Sequence, residues 1–341
     1  MHGETYASNA ESLSADIFTE AVKARRAQSI EPAPSSGCTK NLGTKYDTAS
    51  LYAGLTTLRT ADAVAGRRQM EDQHWIAGQS DQKQLVRFLA NPANRSDADY
   101  SKILKDSNAD VLLIGDWHPS IATKHDYIDS LPELKNAGIQ AVGFELLPVG
   151  KQQQVDEFAS LLSNPYSSEK AVATARKAIV DLFKAGWSGG DPKNAPKMAE
   201  ELTKMVEKTV KAGLKVICLE PPLERTDNKQ ERADTWLQAI NQQVKCGVKM
   251  AVFAGGDHFG YGKEETFGGL LAGSGIKSVT VMKTGGDIAR LGAMDPPHIP
   301  SAPEQYSQAA TAAGAGSERF AYRFDPRHPR KADYVIHLPN K

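Results

Sequence analysis

The chain has 341 residues, of which 40% are hydrophobic and 24% are charged, a composition typical of a globular protein with an ordinary core. Lysine and arginine together number 41, as do aspartate and glutamate, so no net positive charge attracts DNA, RNA or an acidic membrane surface. No apolar run approaches the roughly 18 to 20 residues of a membrane span, and the three single cysteines predict no disulfide framework or zinc site and favour a reducing compartment.

Residues 1–80 are predicted to form a flexible leader before a single α/β domain over residues 81–341. The first 60 residues are rich in Ser, Thr, Ala and Gly around one amphipathic stretch, Ser14 to Ser29, and contain no apolar segment like that of a secretory signal peptide. Two interpretations stay open for this leader. It is either a poorly ordered terminus without a role or an address for specialised export.

After the leader, short apolar runs alternate with longer helical patterns. The predicted strands are Ala109–Gly115, Ile139–Glu145, Leu214–Glu220, Lys249–Gly255, Lys277–Met282, Phe320–Phe324 and Asp333–Leu338. The predicted helices are Asp81–Leu89, Asp97–Asp106, Ile121–Asn136, Lys151–Ser163, Ser167–Ala185, Ala195–Ala212 and Lys229–Lys245. Residues 288–318 are rich in Pro, Ala, Ser and Gly and predict a surface loop.

This alternation indicates the fold class. Parallel strands need crossover connections, which are usually helices. We therefore predict an α/β fold with a mostly parallel central sheet flanked by helices on both faces. The last two predicted strands would add an antiparallel C-terminal edge.

Polar residues lie where four of the predicted strands end. Asp116 and His118 follow the first strand, Glu145 and Glu220 end the second and third, and His258 follows the fourth. In open α/β sheets, ligands bind outside the carboxyl ends of the strands. We therefore expect these five side chains to meet in a single polar site.

These residue types allow two kinds of chemistry. A buried glutamate is costly unless it is paired, and His118 and His258 are the expected partners of the two glutamates. His118, Glu145 and His258 could together hold a divalent metal that activates water. Alternatively, His118 could act as the base itself, oriented by Glu145 or Asp116. The spacing in the sequence does not choose between these mechanisms.

Three further residues have two interpretations each. His125 stands two helical turns past His118 and is either a supporting residue or ligand of the site or an exposed surface residue. Glu220 precedes two prolines and either supports the site or caps a turn. Trp117 is either a wall over the site or part of the ordinary packing. The pair Gly255-Gly256 belongs to no GxGxxG or Walker pattern, so we predict no nucleotide site.

The order of these motifs resembles that of the ChaN-like group, within the erythromycin-esterase, TraB and TIKI superfamily, over about residues 109–337. The motifs are Ile114-Gly-Asp-Trp-His118, Val142-Gly-Phe-Glu145 and Ala254-Gly-Gly-Asp-His258-Phe-Gly-Tyr261. By motif match, the resemblance implies Asp116, His118, Glu145 and His258 as the core functional residues. The group usually has Gly-Glu-x-His in the first motif, so Asp116 shortens that carboxylate by one methylene.

The superfamily includes esterases, metal-dependent proteases and haem-binding lipoproteins, so the resemblance implies a site and does not settle a reaction. The two histidines and two or more carboxylates at one end of the sheet favour a hydrolase of an ester, amide or phosphate-like bond in a small-molecule or peptide substrate. The first alternative is a haem- or iron-binding protein, with Tyr261 and histidines such as His125 as ligands. The second is a non-catalytic protein that a host partner recognises. Together with the leader, the resemblance extends to secreted bacterial effectors of the HopBA type, which implies action in the host cytoplasm. Without export, the protein would be cytoplasmic.

Overall fold

The structure, a computed structural model, describes residues 79–187, 194–222, 229–259, 267–288, 302–323 and 332–340. The predicted leader over residues 1–80 lies outside the described residues except for its last two, so its export role stays a prediction. Within the described ranges, no helix combines the length and the apolar character that crossing a membrane requires.

Strands and helices alternate along the described chain. The strands are β1 (Val111–Asp116), β2 (Ala141–Pro148), β3 (Lys215–Glu220), β4 (Met250–Gly255), β5 (Ser278–Gly285), β6 (Phe320–Arg323) and β7 (Tyr334–Leu338). The helices are α1 (Gln79–Ala90), α2 (Tyr100–Ser107), α3 (Ile121–Asp129), α4 (Leu131–Asn136), α5 (Gln152–Ser163), α6 (Glu169–Trp187), α7 (Ala195–Lys211), α8 (Lys229–Lys245), α9 (Phe267–Gly273) and α10 (Ala302–Ala312).

The strands form one sheet in the order β3-β2-β4-β1-β5-β7-β6. Neighbouring strands run parallel, except that β6 is antiparallel to β7. The predicted α/β fold with a mostly parallel sheet and an antiparallel edge is thus confirmed. The chain passes from β1 to β2 and later returns to insert β4 between them. As a result, the carboxyl ends of β1, β4 and β2 stand side by side.

Helices cover both faces of the sheet, as predicted. Leu112 and Ile114 of β1 belong to the core beneath α2 to α7, whereas Val111 and Leu113 belong to the core beneath α8 and α9. Strands buried on both faces have continuous apolar sequences for this reason. Each leucine or isoleucine buried in this way stabilises the fold by about 1.5–3 kcal/mol. The sheet therefore provides a rigid base for the polar side chains at the carboxyl ends of its strands.

Several helices differ from the predictions. The predicted helix Ile121–Asn136 is two helices, α3 and α4, because Pro132 lies in the first turn of α4, where proline is favoured, and interrupts a continuous helix. The predicted loop at 288–318 contains α10, which packs on α1 through Tyr306 and Ala309. Helix α9 was not predicted, because its glycines give a weak helical signal.

Strand β2 also differs from its prediction. It continues past Glu145 to Pro148, and its register with β3 shifts between Phe144 and Pro148. Leu146 has a φ of 69°, a left-handed conformation that costs a residue other than glycine about 1–3 kcal/mol. Glu145 is therefore held in an irregular part of the strand and does not end it.

Among the described cysteines, Cys218 is free and buried.

Candidate functional site

The carboxylate of Glu145 is the centre of the candidate site. Its Oε1 accepts a hydrogen bond from Arg232 Nη2 and lies 3.2 Å from His258 Nε2. Its Oε2 accepts from the backbone N–H of Gly255 and lies 3.6 Å from His118 Nε2. Burial acts to raise the pKa of Glu145, but His118, His258 and Arg232 outweigh it and hold the pKa well below its usual range. Glu145 is therefore an ionised group between two imidazoles.

The irregular end of β2 explains how a backbone group reaches this carboxylate. The register of β2 with β4 runs only as far as the pair Phe144 and Phe253. Two residues further along β4, the N–H of Gly255 donates to the side chain of Glu145. A bulge commonly redirects a side chain in this way.

Asp116, at the end of β1, lies beside His118. Its Oδ1 accepts from the hydroxyl of Thr123, and its Oδ2 accepts from Lys124 Nζ at 2.7 Å and lies 3.2 Å from His118 Nδ1. Burial acts to raise the pKa of Asp116, but the charge of Lys124 and the hydrogen bond to His118 lower it to about 2. Asp116 is thus ionised at neutral pH. It accepts a hydrogen bond from Nδ1–H of His118, so Nε2 faces Glu145.

Lys124 fixes the turn that carries His118. Its side chain is fully buried, and Nζ also donates to the backbone carbonyls of His118 at 2.9 Å and Ser120 at 3.0 Å. One ammonium group therefore joins a carboxylate and two carbonyls of the same turn. A buried ammonium requires such partners, and they in turn restrict the positions that the turn can adopt.

The imidazoles are the part of the site that reaches solvent. The exposed fraction of the side chain is 37% for His118 and 32% for His258, against 1% for Asp116 and 5% for Glu145. Burial acts to lower the pKa of His118, but Glu145 and Asp116 outweigh it and raise the pKa above its usual value. A substrate would therefore meet the imidazoles first, with the carboxylates beneath them.

Each imidazole packs edge-on against a buried tryptophan. The ring centroids of His118 and Trp187 are 5.2 Å apart, and those of His258 and Trp236 are 5.4 Å apart. Trp187 ends α6 and Trp236 belongs to α8, so helices on opposite faces of the sheet support the two histidines. Such contacts restrict the ring orientations.

Arg232 of α8 joins Glu145 to Glu220. Its Nε and Nη2 donate to Glu220 Oε1 at 2.9 Å and 2.6 Å, and its guanidinium lies over the ring of Trp236 at 5.2 Å. The sequence predicted histidine partners for both glutamates. For Glu145 the structure agrees, whereas the hydrogen-bond partner of Glu220 is an arginine.

The structure thus brings Asp116, His118, Glu145, Glu220 and His258 together, and it does not bring His125 to them. Nε2 of His125 lies 3.3 Å from Glu201 Oε2 on α7, and half of the side chain is exposed. The argument from helical spacing fails because α3 begins at Ile121, after His118.

Two further predicted residues have no established role. Trp117 is half buried, and its indole N–H has no hydrogen-bond partner among the described residues, so its role as a wall stays a prediction. Tyr261 lies outside the described residues, and haem binding through it likewise stays a prediction.

A divalent metal held by His118, Glu145 and His258 does not fit this arrangement. Within the described ranges, no group of three His, Cys, Asp or Glu side chains is placed to hold a metal ion. Both oxygens of Glu145 already accept hydrogen bonds, and the charge of Arg232 beside them opposes a second cation. We therefore derive no step through a metal.

Sequence reasoning missed two residues, Arg232 and Lys124. Arg232 stands one turn before the buried Trp236, at the edge of the apolar stripe of α8, and this was the one available signal. Lys124 gives no signal of its own, because a lysine in the first turns of a helix is usually exposed.

No protein-family model and no curated protein matches the chain. Solved structures to which it is similar include the type III effector HopBA1, with 14% identity and a TM-score of 0.43 over 74% of this chain and 100% of that chain. ChaN of Campylobacter jejuni, which binds haem cofacially, has 13% identity and a TM-score of 0.34, over 69% of this chain and 89% of that one. A Bacillus cereus protein has 11% identity and a TM-score of 0.37, over 75% and 97%.

Proposed function

We propose that this chain is a hydrolase that cleaves an ester or amide bond of a small-molecule or peptide substrate, with His118 as the general base. The observation that carries the proposal is a chain of side-chain contacts that runs from Asp116 to His118, Glu145 and His258. Both imidazoles in this chain are partly exposed, and both carboxylates are buried. A buried carboxylate that orients an accessible imidazole is a common arrangement for proton transfer in enzymes.

The first step is the attack of water. His118 Nε2 lies 3.6 Å from Glu145 Oε2, beyond direct hydrogen-bond distance, so its lone pair is available to a water proton. As the water oxygen bonds to the carbonyl carbon, its proton passes to Nε2. The imidazolium that results lies between the ionised Asp116 and Glu145, and the same two carboxylates raise the pKa of His118.

The second step is the departure of the alcohol or amine. The C–O or C–N bond breaks more easily when its electron pair receives a proton. The His118 imidazolium formed in the first step donates that proton to the leaving oxygen or nitrogen and returns to the neutral ring. One water is consumed, and no proton is gained or lost on the protein. His258 contacts the other oxygen of the Glu145 carboxylate, at 3.2 Å.

The test is a hydrolysis assay of the full chain against chromogenic esters and anilides, with chelator present and absent. His118→Ala should lower kcat/KM by about 10²- to 10⁴-fold, because the base is lost. The matched control is His125→Ala, which removes a histidine seven residues away that contacts Glu201. It should leave kcat/KM within about twofold, as expected of a group outside the site.

Three outcomes would contradict this proposal. Activity that survives His118→Ala would assign the chemistry to another group. Activity abolished by chelator would show that a metal performs it. If the folded wild-type chain cleaves no member of the panel above the His118→Ala background, the non-catalytic alternative, a protein recognised by a host partner, replaces the hydrolase.

A further inference from the structure

Among the described residues, Glu220 accepts hydrogen bonds through one of its two oxygens. Its side chain is fully buried at the end of β3, and Oε1 accepts both hydrogen bonds from Arg232, from Nε at 2.9 Å and Nη2 at 2.6 Å. Among the described residues, Oε2 is buried and has no hydrogen-bond partner. An ionised carboxylate facing arginine usually takes one bond on each oxygen. In Glu220, Oε1 accepts both hydrogen bonds, as the carbonyl oxygen of a carboxylic acid would, and Oε2 has no partner among the described residues.

Burial without a donor disfavours the ionised form. A charged oxygen that leaves water and gains no hydrogen bond pays the full cost of its desolvation. A neutral carboxylic acid carries no charge on either oxygen, and its carbonyl can still accept from Arg232. Its hydroxyl also has no partner among the described residues, but an unmet hydrogen bond costs a neutral group less than a charged one. The contacts of Glu220 therefore suit the protonated group.

The charges around Glu220 point the same way. The charged and titratable groups that face it are Arg232 on α8, Glu145 on β2 and His258 after β4. Nη2 of Arg232 donates to both carboxyl groups, and one guanidinium neutralises one carboxylate. Glu145 has further donors in Gly255 and the imidazoles, so the proton belongs on Glu220. Burial and the neighbouring Glu145 also raise the pKa of Glu220 against the opposing effect of Arg232.

We propose that Glu220 is a neutral carboxylic acid that acts as a positioning residue: its carbonyl oxygen fixes Arg232 and leaves the arginine charge to Glu145. Glu145 in turn contacts both imidazoles. Glu220 on β3 and Arg232 on α8 therefore help to fix the positions of His118 and His258, which belong to neither element. This arrangement is a property of the resting protein and stands whether or not the chain is a hydrolase.

The test is carboxyl NMR of the full chain labelled with ¹³C at the glutamate side-chain carboxyl. At neutral pH the wild type should show a resonance at the position of a protonated carboxyl, and Glu220→Gln should remove it. The matched control is Glu201→Gln. The carboxyl of Glu201 pairs with Lys204 and lies 3.3 Å from His125, and these partners lower its pKa against the effect of burial. The control should lose an ionised resonance and keep the protonated one.

A wild-type spectrum without a protonated glutamate resonance at neutral pH overturns the proposal, even if Glu220→Gln does not fold. The proposal is equally overturned if the protonated resonance persists in a folded Glu220→Gln protein.

The positioning role has its own readout, the ring resonances of His118 and His258 during a pH titration. Glu220→Gln keeps an acceptor and the charge of the neutral acid, so both midpoints should stay at the wild-type values. Glu220→Ala removes the acceptor for Arg232 and should change the ring chemical shifts of both histidines. Glu201→Gln should affect His125 alone. If Glu220→Gln lowers both midpoints by about one pH unit, a negative charge has been lost and Glu220 was ionised. Unchanged ring shifts in Glu220→Ala would reject the positioning role.

Discussion

A β-carbon at Gly255 would lie 2.8 Å from Nε2 of His118, closer than two such atoms can approach. Gly255 has a φ of −52°, which other residues adopt readily, so glycine is needed there for space and not for backbone conformation. The same β-carbon would lie 3.4 Å from Cδ2 of His258. Both imidazoles thus reach Glu145 over the one position of β4 that has no side chain.

Gly255→Ala should therefore damage the site more than the fold. The methyl group would displace the ring of His118 from Glu145, and we expect kcat/KM to fall by about 100-fold, the usual effect of a displacement of about 1 Å. The measurement is kcat/KM beside the urea midpoint. The control is Gly150→Ala, because a β-carbon there meets no atom within 4 Å. Equal activities of the two variants would show that the close approach has no role in the site.

Lys124→Met should destabilise the protein strongly. It leaves the ionised Asp116 buried without its cation, and breaking one side of a buried pair costs about 3–5 kcal/mol. The double variant Asp116→Asn/Lys124→Met should recover most of that loss, because no unpaired charge remains. Urea unfolding measures both. Lys177→Met is the control, since this lysine forms an exposed pair with Asp181 and should cost under about 1 kcal/mol. A similar cost for both lysines would contradict the buried pair.

The ion pair of Asp116 should also appear in the acid stability of the protein. Its pKa falls from 3.8 to about 2 on folding, so the carboxylate stabilises the fold above about pH 4 and loses this contribution as the pH falls toward 2. The full contribution is about 2 kcal/mol. In urea unfolding between pH 5 and pH 2, the advantage of the wild type over Asp116→Asn should shrink by about that amount. A constant difference would mean that folding does not change the affinity of Asp116 for its proton.

Glu220 should show the opposite sign. If it stays protonated in the fold while the unfolded chain ionises, folding takes up a proton, and the wild type loses stability as the pH rises from the unfolded pKa toward the raised folded pKa. Glu220→Gln has no such proton. Its stability relative to the wild type should rise by about 1.4 kcal/mol per pH unit in that window.

Urea unfolding at pH 5, 6 and 7 measures this slope. Glu201→Gln is the control, because the pKa of Glu201 is lowered and its contribution should be constant over these pH values. A flat difference between Glu220→Gln and the wild type would indicate that Glu220 ionises equally in both states.

The sequence by itself determined the class of fold and the end of the sheet, at the carboxyl ends of its strands, where the polar residues gather. Short apolar runs such as Leu112 to Ile114 indicate strands buried on both faces, and helices between them require parallel neighbours. Parallel strands all end at one edge, so Asp116, Glu145 and His258 could be placed together without knowledge of the strand order. Periodicity encodes such local structure.

Only the tertiary structure decided which groups contact one another there. The insertion of β4 between β1 and β2 puts Gly255 next to both Glu145 and His118, and this order results from packing between distant segments. Arg232 and Lys124 reach the site from helices. A charged residue in a helix is usually expected to be exposed to solvent, so the sequence did not predict their positions. A charged side chain that is buried against a carboxylate from another segment does not follow the apolar periodicity of its own helix. The sequence pattern therefore does not reveal its burial, because the partner lies far away along the chain.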